Sequence, residues 1–154
     1  MKAAQTVALT IATALGAGYV PRAPGTCGTV VGLLLFWGLS DLPIWLYIVI
    51  VSLVVAIGTW AASITGKIYG EVDNQRIVID EVAGYLITMI AARPTLVVML
   101  MGFVLFRFFD IVKPFPVDWA DKKVNNAFGV MLDDILAGIY AWGVLWLFRL
   151  LFPS

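Results

Sequence analysis

Histidine is absent from this 154-residue chain, and cysteine occurs once, at Cys27. The absence of histidine excludes His-based catalytic triads, phosphohistidine chemistry and histidine metal ligands. A single cysteine excludes an intramolecular disulfide and a zinc site built from several cysteines. Any acid–base or metal chemistry must therefore use Asp, Glu, Lys, Arg or hydroxyl side chains.

Charged residues are scarce, at 13% of the chain, and ten basic side chains balance ten acidic ones. A net charge of zero provides no basic field, so no nucleic-acid partner is expected. Hydrophobic residues make up 62% of the chain, against roughly 45–50% in soluble domains. A small domain cannot bury that much apolar surface, because its surface-to-volume ratio is high. The composition predicts one membrane-embedded domain, residues 1–154, in contact with the lipid bilayer.

Apolar segments separated by short polar stretches predict an all-α, polytopic helical membrane protein with about five short spans. The predicted spans are residues 29–39, 43–62, 82–92, 95–109 and 135–152. Only the second and fifth approach the roughly 20 residues that a straight span needs, so the others must extend, tilt or lie in thinned membrane. Residues 6–15 lack a strong apolar core and a good cleavage site, which predicts an N-terminal interfacial helix kept in the mature protein. Two spacings of small residues, Gly28 with Gly32 and Ala137 with Ala141, predict close helix packing.

The connections between the predicted spans are of two kinds. Two tight turns, at 40–43 and 92–94, alternate with three longer polar segments, at 16–28, 63–81 and 107–134. Five spans place the three longer segments on one side of the membrane. That side holds most Lys and Arg residues, so the positive-inside rule predicts that it is cytoplasmic. It also holds all but one of the ten acidic residues, a grouping that the rule does not require.

Five of these carboxylates are predicted to lie at helix ends, near the hydrocarbon. They are Asp80, Glu81, Asp110, Asp133 and Asp134. Converging carboxylates stay ionised only when a cation lies among them, and an oxygen-only ligand set suits Mg²⁺. Simpler explanations exist for single members, because Asp80 and Asp133 are good helix N-caps and Asp110 can pair with Arg107 three residues earlier. Taken together they favour a functional site, since ionisable residues at this depth are costly without a role.

Groups that bind an anion lie close to these acids in the sequence. Arg107 and Lys113 flank Asp110, where they can neutralise phosphate oxygens, or anchor the chain to anionic lipids. The segment from Pro21 to Thr29 is a glycine-containing turn that leads into a helix, and it offers free N–H groups and hydroxyls to a phosphate, or forms an ordinary loop-to-helix junction. The remaining acids of this side are expected to be solvated loop residues: Glu71, Asp73, Asp118 and Asp121.

Four blocks resemble the phosphatidylglycerophosphatase A family, in the family's order. They are GAGYVPRAPGTCGT at 16–29, DEVAG at 80–84, FRFFDIVKPFP at 106–116 and GVMLDDILAG at 129–138. With their connecting spans they cover roughly residues 16–140. The resemblance implies a Mg²⁺-dependent enzyme of the bacterial inner membrane, with its active site facing the cytoplasm. It also implies the reaction, hydrolysis of phosphatidylglycerophosphate to phosphatidylglycerol and inorganic phosphate.

The predicted site therefore has three overlapping parts. The expected Mg²⁺ ligands are Asp80, Glu81, Asp110, Asp133 and Asp134. The expected catalytic residues are Asp110, Asp134, Arg107 and Lys113, and the expected phosphate-binding residues are Arg22, Gly25, Thr26, Gly28, Thr29 and Lys113. Attack by a metal-bound water and formation of an aspartyl-phosphate both remain open, and the sequence defines no oligomeric state.

Two rival functions come from other classes. A small membrane transporter with an acidic cation site is the alternative, but transporters carry polar residues near the midplane of their spans. The spans predicted here are apolar except for hydroxyls such as those of Ser52 and Thr88. A non-catalytic membrane scaffold would leave the clustered acids without a purpose.

Overall fold

A computed structural model describes residues 2–151, and in that range it contains helices and no strand, which confirms the all-α prediction. Residues 1 and 152–154, which include the end of the fifth predicted span, lie outside the described part. The helices are α1 (Ala3–Ala12), α2 (Pro24–Leu39), α3 (Ile44–Tyr69), α4 (Ile79–Thr88), α5 (Leu96–Val112), α6 (Val117–Lys123) and α7 (Ala127–Leu151), with one 3₁₀ turn at Ala17–Tyr19 before α2.

The ends of the helices follow local chemistry. Pro24 occupies the first turn of α2, where its missing N–H costs nothing. Gly70 ends α3 in the left-handed region, with φ of 73°. The hydroxyl of Thr95 accepts a hydrogen bond from the backbone N–H of Val98 at 3.3 Å and caps the start of α5. Sequence signals of this kind define three of the helix boundaries around the central α4.

Helix α4 forms the centre of the bundle and packs on α2, α3, α5 and α7. Eight of its ten residues are buried. Close approach depends on glycine, because a Cβ added to Gly138 of α7 would lie 2.4 Å from the carbonyl oxygen of Gly84. On the other side, a Cβ on Gly28 or Gly32 of α2 would lie 2.8 Å from Val78 or 3.2 Å from Tyr85. The predicted close packing at small residues of α2 is therefore confirmed.

The helices alternate in direction, so the bundle has two chemically different ends. Ser40, Ile44, Met89 and Ala92 line one small cavity, which places the α2–α3 and α4–α5 turns together at what we call the turn end. Helices α2 and α4 begin, and α5 ends, at the opposite end, which we call the polar end. Helix α7 runs from the polar end to the turn end, where Arg149 near its C-terminus donates a hydrogen bond to the carbonyl of Ala91 at 2.6 Å.

Large apolar side chains cover the outside of the bundle. Trp37 of α2 is 64% exposed, Leu53 of α3 53%, Val104 of α5 65% and Leu147 of α7 56%. Within the described residues, α3 and α7 are the two helices that are long and apolar enough to cross a membrane. The predicted number of five spans is not confirmed, because α2, α4 and α5 have 16, 10 and 17 residues. Helix α1 packs on α3 through buried Ala8 and Ala12.

Candidate active site

Three carboxylates meet at the polar end, where α4 begins. Oxygen atoms of Asp80, Glu81 and Asp134 all lie within 4.8 Å of one another. Asp80 and Asp134 are 7% and 3% exposed, and the side chain of Glu81 is 15% exposed. Buried carboxylates this close repel one another unless a proton or a cation lies among them. We call these three residues the carboxylate cluster.

The helix boundaries place these acids differently from the sequence prediction. Asp80 and Glu81 lie in the first turn of α4, whose N-cap is Val78, so Asp80 is not the cap. Helix α7 begins at Ala127, which puts Asp133 and Asp134 inside the helix rather than before it. The N-cap explanation for Asp133 is therefore wrong.

Asp110 and Arg107 extend the cluster from α5. Arg107 Nη1 lies 2.6 Å from Asp110 Oδ2 and 3.9 Å from Glu81 Oε1, so the ion pair at i,i+3 forms and the same guanidinium also reaches α4. Asp110 lies in the last turn of α5, and its partner Arg107 links it to Glu81 of the carboxylate cluster. The predicted role of Asp110 as a metal ligand stays a prediction.

The start of α2 closes the cluster on another side. A Cβ added to Gly25 would lie 2.2 Å from Glu81 Oε1 and 3.1 Å from Arg107 Nη1, so a larger residue there would push these two side chains out of place. The first N–H groups of a helix have no partner within it, and they carry partial positive charge. Gly25 thus brings an anion-attracting helix start against the carboxylate cluster and its arginine.

The other residues predicted to bind phosphate from this segment have structural contacts of their own. Gly28 packs on Val78, and the buried Thr29 hydroxyl donates its proton to the Gly25 carbonyl at 2.9 Å. Thr26 is half-buried in the first turn of α2, and Arg22 is exposed in the loop before it, with φ of 75°. Gly28 and Thr29 are both buried, Gly28 against Val78 and the Thr29 hydroxyl in a hydrogen bond within α2, which the sequence did not predict.

The ammonium group of Lys113 is held by two other carboxylates rather than by the carboxylate cluster. Its Nζ donates to Asp121 Oδ1 at 2.5 Å and to Asp133 Oδ2 at 2.9 Å. Partial burial alone would lower the pKa of Lys113, but the hydrogen bonds to Asp121 and Asp133 outweigh it and raise this pKa above its usual value. We call these three residues the lysine bridge.

The lysine bridge was not expected from the sequence. Successive helical residues point about 100° apart, so Asp133 faces Lys113 while its neighbour Asp134 faces α4. Asp121 was predicted to be only solvated, and eight residues separate it from Lys113, with the Pro114–Pro116 corner between them. Asp73 and Glu71 are exposed as predicted, and Asp118 pairs with Lys122 at 3.5 Å.

The donor set of the carboxylate cluster fits a hard divalent cation. All candidate ligands are carboxylate oxygens, as Mg²⁺ prefers. One of them, Glu81 Oε2, is buried and has no hydrogen-bond partner among the described residues. A buried acceptor without a partner is costly, and Arg107 alone does not balance the four acids around it. A bound cation would satisfy both the orphaned oxygen and the excess charge.

Fold and site together define a helical, membrane-associated protein with a buried carboxylate cluster beside a guanidinium group. Comparison with known proteins identifies the family: the model of phosphatidylglycerophosphatase A matches residues 10–149. The chain belongs to this family of phosphatases.

Individual relatives agree with the family assignment. Phosphatidylglycerophosphatase A of Haemophilus influenzae is 40% identical over 137 residues, covering 85% of this chain and 82% of the relative. Phosphatidylglycerophosphatase A of Escherichia coli is 37% identical, covering 88% and 80%. A Bacteroides thetaiotaomicron protein that carries the provisional name of a phosphatidylinositol-3-phosphatase is 35% identical, covering 92% and 93%. No solved structure matches the chain.

Proposed function

We propose that the chain hydrolyses phosphatidylglycerophosphate to phosphatidylglycerol and inorganic phosphate, with Mg²⁺ as its cofactor. The observation that carries this proposal is the convergence of Asp80, Glu81 and Asp134 within 4.8 Å beside Arg107. The names of the relatives from Haemophilus influenzae and Escherichia coli support the choice of substrate. Together they support a phosphomonoester substrate, because the chemistry of the site suits one.

The proposed ligand set is narrower than the one predicted from the sequence. Asp80, Glu81 and Asp134 hold the cation, and Asp110 completes the set from α5. Asp133 is left out, because one of its oxygens accepts the hydrogen bond from Lys113. Bound Mg²⁺ would polarise the phosphoryl group and lower the pKa of a water molecule.

The protein groups around the cation orient the substrate. Arg107 Nη1 is buried, and its contacts with Asp110 and Glu81 do not have hydrogen-bond geometry. It can therefore donate to a phosphoryl oxygen while Asp110 holds the side chain in place. The start of α2 at Gly25 offers backbone N–H groups to the same phosphate. In this proposal Lys113 does not contact the phosphate directly. Through the lysine bridge it fixes the end of α5 against α7.

The bundle is proposed to cross the membrane several times, with its polar end facing the cytoplasm. Helices α2 and α5 are about 24–26 Å long, slightly less than the roughly 30 Å hydrocarbon core, so local thinning is required. Exposed aromatic residues occur at both ends, with Trp37 and Trp45 at the turn end and Phe115 and Trp119 at the polar end. Such belts are typical of the two membrane–water interfaces, and the clustered Lys and Arg residues favour the cytoplasmic side for the polar end.

One assay tests the proposal directly. Purified protein in detergent is incubated with phosphatidylglycerophosphate, and released phosphate is measured with Mg²⁺, with EDTA, and after Mg²⁺ is restored. We expect release with Mg²⁺, loss with EDTA and recovery on restoration. No release under any divalent condition would reject the enzyme and favour the transporter or the scaffold.

The name of the Bacteroides relative calls for a second substrate in the same assay. Phosphatidylinositol 3-phosphate also presents a phosphomonoester above a diacylglycerol. We expect a higher kcat/KM for phosphatidylglycerophosphate. A higher kcat/KM for phosphatidylinositol 3-phosphate would leave the phosphatase activity standing but reject phosphatidylglycerophosphate as the preferred substrate.

A further inference from the structure

Arg76 lies between two tyrosine rings at the polar end of the bundle. Its guanidinium carbon is 5.7 Å from the ring centroid of Tyr19 and 5.4 Å from that of Tyr69. The two tyrosine hydroxyls are hydrogen-bonded to each other at 2.9 Å. The rings come from the 3₁₀ turn before α2 and from the last residue of α3, so two separate segments form a cradle for one exposed cation.

The backbone of Arg76 is fixed as well. Its N–H donates to Asn74 Oδ1 at 3.2 Å. A Cβ added to Gly18 would lie 2.0 Å from the carbonyl oxygen of Arg76, so the loop and the 3₁₀ turn are in direct backbone contact. Holding the side chain on two rings lowers the entropy that a surface arginine loses when it binds a ligand. The site is therefore formed before any ligand arrives.

Among the described residues, Arg76 has no acidic partner, unlike Arg107, Lys113 and Lys122 of the polar end. Arg107 pairs with Asp110, Lys113 with Asp121 and Asp133, and Lys122 with Asp118. Within residues 2–151, no carboxylate forms an ion pair with Arg76. Glu71 of its own loop accepts a hydrogen bond from Asn74 at 2.7 Å, and Asp73 lines a different cavity with Asp121 and Asp133.

The surroundings indicate which anion this cation meets. Leu15, Val20 and Val72, all in neighbouring segments, are 85%, 42% and 41% exposed, so lipid is the natural neighbour of this surface. Tyrosines are typical of the membrane–water interface. A guanidinium presents several donors in a planar fork that matches phosphate oxygens, so it can bind a phosphate while it also contacts the two tyrosines.

We propose that Arg76, Tyr19 and Tyr69 form a docking site for the phosphate of an anionic phospholipid of the bilayer, separate from the catalytic carboxylates. Charge complementarity selects an anionic headgroup, because the unpaired guanidinium has no acid beside it to attract the cationic group of a zwitterionic lipid. The site holds the polar end against the membrane surface in which the substrate diffuses.

Equilibrium binding to the purified protein tests the site. The probe is short-chain phosphatidylglycerol, titrated by calorimetry, with short-chain phosphatidylcholine as the zwitterionic comparison. We expect Arg76→Gln to weaken phosphatidylglycerol binding about fivefold, and Tyr19→Leu to weaken it less. Arg76→Lys should recover only part of the loss, since lysine lacks the planar fork. Lys123→Gln removes an exposed charge from the same end without a cradle, and should bind like the unsubstituted protein.

Two results would overturn the proposal: unchanged phosphatidylglycerol binding by Arg76→Gln, and an equal loss of binding in Lys123→Gln. If the first result comes with a raised KM for phosphatidylglycerophosphate, Arg76 acts on the substrate instead. The binding assay does not depend on catalysis. If the protein showed no phosphatase activity, the proposed function would be rejected, but the binding assay would still test this docking site.

Discussion

Asp133 and Asp134 are adjacent in sequence but belong to different groups of interactions. Asp134 is 3% exposed and meets Asp80 and Glu81, whereas Asp133 accepts a hydrogen bond from Lys113. The turn of the helix between consecutive residues separates them. Their isosteric amide variants therefore give a matched pair for separating cation binding from support of the fold.

Asp134→Asn should lower phosphate release at least about 100-fold, because it removes a charged oxygen from the proposed cation site. Asp133→Asn should keep the Mg²⁺ concentration for half-maximal activity close to that of the unsubstituted protein. For each variant, the maximal rate and the Mg²⁺ concentration for half-maximal activity are read from a Mg²⁺ titration. An equal change in the Mg²⁺ concentration for half-maximal activity in the two variants would contradict separate roles for Asp133 and Asp134.

Asp121→Asn tests the lysine bridge through stability. Removing one of the two carboxylates that hold Lys113 should lower the free energy of unfolding by roughly 0.5–1 kcal/mol, as for partly exposed ion pairs. Because the pKa of Lys113 is raised above 10.5 in the folded protein, its contribution is present below that pH and is lost as the pH rises further. Thermal unfolding in detergent should thus show the two proteins converging above about pH 10.5, and a constant difference would argue against the bridge.

At the scale of the element, α2 contributes one glycine that touches the site and one that does not. Gly25 lies against Glu81 and Arg107, whereas a Cβ on Gly38 would meet nothing within 4 Å. Gly25→Ala should reduce phosphate release by more than about tenfold, since misplaced groups near a reacting centre are costly. Gly38→Ala should leave the rate unchanged and stabilise the helix by about 0.5–1 kcal/mol.

Rates and melting temperatures of the two variants provide the check. A Gly25→Ala protein that is both active and stable would show that the start of α2 is not part of the site. Similar losses of activity in Gly25→Ala and Gly38→Ala would instead indicate that α2 tolerates no added methyl group at either position. The contact of Gly25 with Glu81 would then not explain the loss in Gly25→Ala.

The helices that carry the site were predictable in kind but not in length. The apolar run 82–92 predicts a helix, yet apolar residues on all sides look the same in sequence whether lipid or other helices cover them. In the structure α4 has ten residues and is enclosed by α2, α5 and α7. Likewise, the sequence Asp133-Asp134 predicts a polar boundary before a span. The helix in fact begins six residues earlier, at Ala127, and tertiary packing buries both acids.

Contacts between distant segments set a second limit on prediction. The pairing of Arg107 with Asp110 follows from helical spacing, and the structure confirms it. The pairing of Lys113 with Asp121 crosses a proline corner, so no sequence period indicates it. The contact of Gly25 with Glu81 joins residues 56 positions apart, and only the assembled bundle brings them together.

At the scale of the whole molecule, the two ends of the bundle lead to a prediction about membrane orientation. In a Cys27→Ser background, an Asn125→Cys protein carries its thiol at the polar end and an Asp41→Cys protein carries it at the turn end, both at exposed positions. An impermeant maleimide added to intact cells should label Asp41→Cys, and should label Asn125→Cys only after the membrane is permeabilised. The reverse pattern would place the carboxylate cluster outside the cytoplasm.

Composition and turn lengths predict much of this large-scale arrangement. The apolar content predicts a surface that faces lipid, and Trp37, Leu53 and Val104 are indeed exposed. The alternation of short and long connections separates the two ends, as the shared cavity of the two tight turns shows. The number of crossings stays a prediction, because helix length alone does not say how far the bilayer adapts to α2 and α5.

The start of α7 has a consequence for sequence variation. From Ala127 to Asp134 the helix is a spacer whose length decides which acid faces α4 and which faces Lys113. Inserting or deleting one residue there would rotate both carboxylates by about 100° relative to the rest of α7. Substitutions that preserve helix formation in this stretch should therefore be tolerated more readily than any change in its length, so homologous sequences should align across it without gaps.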